Sequence, residues 1–381
     1  MANSDHFPAH LLSQSPAERL AYFTQKLVAH PRLTQAYEEL WHAIGHANTT
    51  SLVFVFGPTG VGKTTLRRRI EQRLTEDALP TLADDPARLP VIALEALAPE
   101  TGNFSWKDFY TRALLTCDEP LVERKIDYGV RGLHRDQTGQ LFIRRDASTA
   151  GLRQAWEQCL RYRQPAAVLI DEAQHLQKVS NGRRLLDQMD VLKSLASLTQ
   201  TVHVLIGTYE LLNLLRLSAQ LSRRSIEIHF PRYQPGTVQD IKAFTNILWT
   251  FQQHLPLAEV PDLVGRYDYF YERSAGCVGL LKDWLNRALA AALNDGQQTL
   301  THAYLERQVL PFPQLKRIAS EIKMGEETMV ETPHQQAELR ALLGMTPGPQ
   351  PSQTEPPPAR SQHPPFQRKP VRDPIGVDTH G

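Results

Sequence analysis

The stretch Gly57-Pro58-Thr59-Gly60-Val61-Gly62-Lys63-Thr64 constrains this chain more than any other part of it. It fits the pattern G-x-x-x-x-G-K-[ST] and is entered directly from the apolar run "LVFVF" at 52–56. A buried strand, a bare turn and then a helix make the context in which that pattern carries a mechanism. Glycines let consecutive backbone N–H groups turn inward on phosphate oxygens with no Cβ in the way. The helix starting near Lys63 points its positive dipole end at the same anion. Lys63 adds a mobile charge for the β- and γ-phosphates, and the Thr64 hydroxyl suits Mg²⁺. With Thr65, these residues form the expected binding run for ATP and Mg²⁺.

The rest of the chain supplies the frame that such a loop needs. Apolar runs at 52–56, 90–94, 166–170, 202–206 and 226–230 alternate with amphipathic helices. Short, continuous, β-branched runs suit the doubly covered strands of a parallel sheet, so the fold class reads as α/β. In "AAVLIDEAQHL", Asp171 and Glu172 follow a strand at the end where open α/β sheets bind ligands. Asp171 is the expected Mg²⁺-associated carboxylate, with Thr64 as the other metal-side oxygen. Glu172 is the expected general base for an attacking water, which favours hydrolysis over small-molecule phosphorylation. His175 reads as a polar neighbour. The next strand ends at Gly207-Thr208, where a small hydroxyl would reach the γ-phosphate or the water. Arg223, with Arg224 as the alternative, precedes the following strand. A cation there fits a charge supplied across a subunit boundary, which implies oligomers. Arg67, Arg68 and Arg69 spread around a helix and read as a solvated surface.

Charge balance excludes little: 42 basic residues face 41 acidic ones, so a nucleic-acid surface must be a local patch. Cys117, Cys159 and Cys277 have no metal-ligand spacing and read as buried small apolar residues of a reducing, cytoplasmic compartment. No signal peptide and no membrane span is expected.

Domain organisation follows from pattern shifts. Residues 1–46 read as N-terminal helices: Ser15-Pro16-Ala17-Glu18 has capping-box form, and a second helix from about Pro31 carries Leu33, Tyr37, Leu40 and Trp41 on one face. Residues 47–235 form the nucleotide-binding α/β domain, with a basic insertion at about 100–150. A small all-helical domain is placed at 236–315, begun by a cap at Thr237 to Asp240 and built on the amphipathic "LLKDWLNRALAAAL". A helical connector covers 316–345, where "QQAELRALLGM" is either a docking helix or a frayed end. Eleven of the 27 prolines lie between Pro333 and Pro374, and 346–381 reads as a disordered Pro-rich tail.

With "GPTGVGKTT", "VLIDEAQHL", "LIGTYEL", "LSAQLSRR" and "SAGCVGLLKDWL" in this order, the chain resembles AAA+ ATPases, and within them the TniB/TnsC transposition regulators, over roughly 27–313. The resemblance implies a P-loop AAA+ domain followed by a helical lid. It implies ring or filament assembly on double-stranded DNA, with ATP between subunits, and a link from a target-selector protein to a transposase. By position, Lys63 and Thr64 are the Walker A pair, Asp171 and Glu172 the Walker B pair, Thr208 sensor 1 and Arg223 the finger. Where many AAA+ proteins carry a sensor 2 arginine this chain has Gly279, and Lys282 is the nearest cation.

DNA contact is expected in the insertion. "GNFSWKDFYTRALL" interleaves aromatics with Lys107 and Arg112, and residues 123–146 carry six Lys/Arg against four Asp/Glu, with Arg144 and Arg145 at the end and "DQTGQ" as a turn between two extended pieces. Lys107 and, more loosely, Lys178 resemble DNA-lining lysines of the family by position. Such contacts to the DNA backbone give salt-dependent, sequence-independent affinity. Two other readings stay open: an AAA+ loader or secretion-type ATPase acting on a protein client, and a nucleotide-dependent interaction switch that binds no DNA.

Overall fold

The structure is a computed structural model and describes residues 6–45, 52–99, 102–117, 133–135, 141–143, 148–178, 182–216 and 225–345. At its centre is a five-stranded parallel sheet: β1 (Leu52–Phe56), β2 (Val91–Glu95), β5 (Ala167–Asp171), β6 (Val202–Gly207) and β7 (Ser225–His229), in the order β2-β5-β6-β1-β7. The two remaining strands, β3 (Leu133–Arg135) and β4 (Leu141–Ile143), pair antiparallel in the insertion; the "DQTGQ" between them lies outside the described residues.

Every residue of β1, β5 and β6 is buried, as continuous apolar runs demand when both faces of a sheet are covered. Successive side chains go to opposite layers. Phe54, Phe56, Ile92, Val168, Ile170 and Leu205 join one core with the helices Trp106–Thr116 and Thr149–Arg163. Val53, Val55, Leu169, Val204 and Ile206 join the other, under the helices Pro31–Gly45 and Lys63–Asp84. The edge strands β2 and β7 are only partly buried.

After β7 the chain is helical. Val238–His254, Tyr267–Ser274, Val278–Asn294 and His302–Gln308 enclose a third core around Phe244, Phe251, Phe270, Trp284 and Leu289. In the helix Val278–Asn294 the buried residues recur at 281, 285, 288, 289 and 292, the spacing of one helical face. Thr237 makes no side-chain cap at the start of Val238–His254, contrary to expectation. Asp240 instead accepts from the Gln234 backbone (2.9 Å) and pairs with Arg32 (3.0 Å).

The two N-terminal helices divide between cores. Pro16–Gln25, with the expected capping box at Ser15 and Glu18, sends Phe23 into the helical core. Pro31–Gly45 packs Leu33, Ala36 and Leu40 on the sheet. The helix Phe312–Met329 returns to the sheet side, where Glu326 accepts two bonds from Arg232 (2.8 and 3.0 Å) and one from Gln234 (2.9 Å). All three cysteines are buried thiols that share no disulfide. Among the described residues no helix is long and apolar enough to cross a membrane.

Residues 6–329 belong to one compact unit. The described part of the second holds the helix Pro333–Leu342, capped by Thr332 and Gln335, with Leu339, Leu342 and Leu343 exposed. The expected tail, 346–381, lies outside the described residues. Replacing buried Leu289 with Ala should cost about 2–5 kcal/mol in denaturant unfolding, by lost transfer energy plus a cavity. Replacing exposed Leu339 with Ala should stay within about 0.5 kcal/mol.

Candidate functional site

Three neighbouring strands deliver the site. β5, β6 and β1 lie side by side and parallel, with Phe56 level with Gly207, so Gly57, Asp171 and Thr208 emerge at one end of the sheet. The turn from Gly57 to Gly62 carries Gly60 at φ +74° and Gly62 at φ +117°, conformations that a side chain would strain. Val61 is the exception to a bare turn: its side chain is buried in the sheet-side core, so only its backbone is free to face a ligand. Pro58 and Thr59 line a cavity of about 330 Å³ together with Thr208, Glu210 and Asn213.

Lys63 opens the helix Lys63–Asp84 and is only 8% exposed. Its ammonium donates to Gly57 O (3.0 Å) and Pro58 O (2.8 Å), folded back on its own loop. Burial pushes it down to about 8, against the opposing pull of Glu172, Cys277 and Asp171. Phosphate oxygens would offer this ammonium acceptors with full negative charge in place of carbonyls. Thr65 follows on the same helix.

Thr64 Oγ1 donates to Asp171 Oδ2 at 3.4 Å. Both are hard oxygen donors, and Mg²⁺ is commonly held by one or two carboxylates, water and substrate phosphates, so these residues fit the ion. Arg67 was expected to be solvated; its Nε instead lies 3.2 Å from the same Asp171 oxygen, and the guanidinium also holds Glu71 at 3.0 Å. The signal was in the spacing, since residue 67 shares a helix face with Lys63 and Thr64.

Glu172 sits in the left-handed region at φ +51° and its N–H donates to Asp171 Oδ1 (3.0 Å). Its carboxylate accepts from Gln174 Nε2, and Gln174 Oε1 accepts from Thr208 N at 3.3 Å. Among the described residues the buried Thr208 Oγ1 has no hydrogen-bond partner, which leaves an orphaned donor beside the phosphate loop. A terminal phosphate would give that hydroxyl an acceptor, and the cradle of Gly60 and Gly62 fits the phosphate chain.

The helical region reaches the loop through backbone. Leu280 N donates to Gly60 O (3.1 Å) at the first turn of Val278–Asn294. A Cβ on Gly279 would lie 2.4 Å from Gly60 O, so the loop leaves no room for a side chain at the position where a sensor 2 residue was expected. Lys282 is a correction. Its ammonium donates to Phe23 O and lies over the Phe23 ring at 3.4 Å and the Phe251 ring at 5.2 Å, none of them loop residues. Burial there pushes it down to about 7. Residue 282 lies one turn beyond Gly279, and its long side chain runs to Phe23 and Phe251 of the helical core instead of to the loop.

The residues expected to meet DNA are partly placed. Lys107 and Lys178 are exposed, and Phe104 N donates to Lys178 O (2.7 Å), which joins their segments. The interleaved aromatics are core: Phe109 and Tyr110 are buried against Phe104 and Trp106, and Arg112 pairs with Asp108 (2.9 Å). Arg144, Arg145, Arg223 and Arg224 lie outside the described residues.

Two consequences are measurable. Because the free Lys63 loses its charge around pH 8, ATP affinity should weaken above that pH by up to about tenfold per unit, and Lys63→Ala should abolish the dependence in a titration with a fluorescent nucleotide. Gly279→Ala should part the helix from the loop, seen as faster amide exchange at 57–62 and 278–281 with the other cores unchanged.

One family model and several solved structures are similar to the chain. Residues 46–215, which include the loop, both carboxylates and Thr208, match the family model described as AAA domain. Solved structures similar to the chain include the Aeropyrum pernix ORC2 protein in its ADP form (TM-score 0.48, 15% identity, 74% of this chain and 70% of that one). The Walker-type ATPase of Pyrococcus abyssi (TM-score 0.44, 16% identity, 82% and 76%) and domain III of the Thermotoga maritima replication initiation protein DnaA (TM-score 0.40, 15% identity, 76% and 98%) are others. No curated protein matches the chain significantly. The fold is an AAA+ P-loop domain with a parallel five-stranded sheet, followed by a helical C-terminal region.

Proposed function

We propose that this chain is an ATP-dependent, oligomeric, DNA-binding regulator of transposition, which links a target-site selector to a transposase and uses ATP hydrolysis to control disassembly. The AAA-domain match supports an ATPase in general terms. The observation that carries the chemistry is the convergence of Lys63, Thr64, Asp171, Glu172 and a Thr208 hydroxyl with no partner among the described residues, at one end of three adjacent strands. The transposition part rests on the order of the motifs, "LIGTYEL", "LSAQLSRR" and "SAGCVGLLKDWL", which resembles that of the TniB/TnsC family.

In this reading Lys63 and the loop N–H groups bind the phosphates, and Thr64 and Asp171 hold Mg²⁺. The ion, when bound, offsets phosphate charge. Glu172 orients a water and accepts its proton, while Thr208 donates to the terminal phosphate. Arg223 of a neighbouring copy supplies transition-state charge, which makes turnover depend on assembly. Lys107, Lys178, Arg144 and Arg145 contact the DNA backbone without reading sequence. Repeated along an oligomer, such weak contacts sum to tight binding.

The decisive experiment is sedimentation or negative-stain imaging with duplex DNA and a non-hydrolysable ATP analogue. Nucleotide-dependent assembly on any duplex, lost as salt rises, is the expected result. Lys63→Ala should not assemble, and Glu172→Gln should bind ATP and stay assembled. A Lys63→Ala protein that still coats DNA would overturn the proposal. Oligomers indifferent to DNA would leave a nucleotide-dependent switch. DNA-stimulated turnover coupled to a client would point to a loader.

A further inference from the structure

Two residues beyond Glu172, in the short 3₁₀ turn Ala173–Gln177, Gln174 is 7% exposed and its side chain is bonded at both ends. Its Nε2 donates to Glu172 Oε2, and its Oε1 accepts from the N–H of Thr208. The chemistry of the partners settles the orientation of the amide, because a carboxylate only accepts and a backbone N–H only donates. β6 makes room for it: a Cβ on Gly207 would lie 2.4 Å from Gln174 Oε1. Glu172 itself is in a left-handed conformation that a residue with a Cβ adopts reluctantly, so its bonds to neighbours hold it there.

We infer that Gln174 is a positioning residue that joins the Glu172 carboxylate to the Thr208 backbone and makes the two move as one unit. The inference rests on the hydrolytic reading of this site. A planar amide keeps its donor and acceptor on fixed opposite edges, so it cannot follow Thr208 without turning the group it offers Glu172. Any shift at the end of β6 that brings the Thr208 hydroxyl onto a phosphate is therefore felt at the base. Both ends of the Gln174 amide are engaged by Glu172 and Thr208, so its route to the reaction runs through Glu172. A residue that merely filled the core would need neither bond.

The test replaces Gln174 with Met, close in length and without the amide, and with Glu, isosteric and unable to donate when charged. ATP affinity is read with a fluorescent analogue, turnover as kcat, and folding by thermal unfolding. Gln174→Met should leave affinity within about threefold while kcat falls at least tenfold, the pattern of a lost transition-state interaction. In a Glu172→Gln background, followed by single turnover, the same change should have no further effect, because its route to the reaction is already gone. Equal losses in both backgrounds, or an unchanged kcat in Gln174→Met, would overturn the inference. If Gln174→Met fails to fold, Gln174→Glu carries the comparison by the same criteria. A wild-type protein that binds ATP and never turns it over would overturn the hydrolytic reading itself, an outcome separate from a normal wild type with an indifferent Gln174 variant.

Discussion

An ammonium held almost out of water organises the nucleotide end of this molecule. Lys63 is buried among apolar strands, yet it remains hydrogen-bonded to two carbonyls of its own loop and lies within the field of Asp171 and Glu172. Burying a charge is costly unless it is paired and bonded, so the loop must turn its carbonyls toward the lysine while it waits for a better anion. That requirement fits the left-handed Gly60 and Gly62 and the placing of both carboxylates at the same end of the sheet, after β5, with β6 between. Arg67 performs the matching service for Asp171, which would otherwise sit buried with only the Thr64 hydroxyl and the Glu172 N–H for partners.

From that charge, contacts run outward through backbone and short side chains. Gly60 O caps the first turn of Val278–Asn294 through Leu280 N, so the helical region meets the loop directly, with no long cation between them. Gln174 carries the contact from Glu172 to Thr208. Arg232, just past β7, holds Glu326 on the helix Phe312–Met329, which also lines the cavity beside Thr208. Each link is short and largely dry, the condition in which small displacements pass on without being absorbed by solvent. Lys282 belongs to a different joint. It fastens the helix Pro16–Gln25 to the helical core by a carbonyl and two aromatic rings.

Much of the frame was legible in the residues. The five strand runs fall within a residue of where the apolar pattern places them, because strands covered on both faces leave no polar alternation to blur the signal. The capping box at Ser15 and the amphipathic helix from Val278 were equally plain, since each is a local rule satisfied locally. What escaped was partnership at a distance. The phosphate-loop context did not reveal that Arg67 would find Asp171, or that Phe109 and Tyr110 would turn inward beside an exposed Lys107.

The sequence by itself determined the phosphate cradle, the order of strands and helices, and the kinds of group gathered at the site, because spacing along one strand, turn or helix is encoded in neighbouring residues. Only the tertiary structure decided which groups meet. It set Gly279 beneath Gly60 and Gln174 between Glu172 and Thr208, and it turned Lys282 toward Phe23. Those pairings depend on how strands line up and which face of each helix is buried, and both follow from packing the whole core at once.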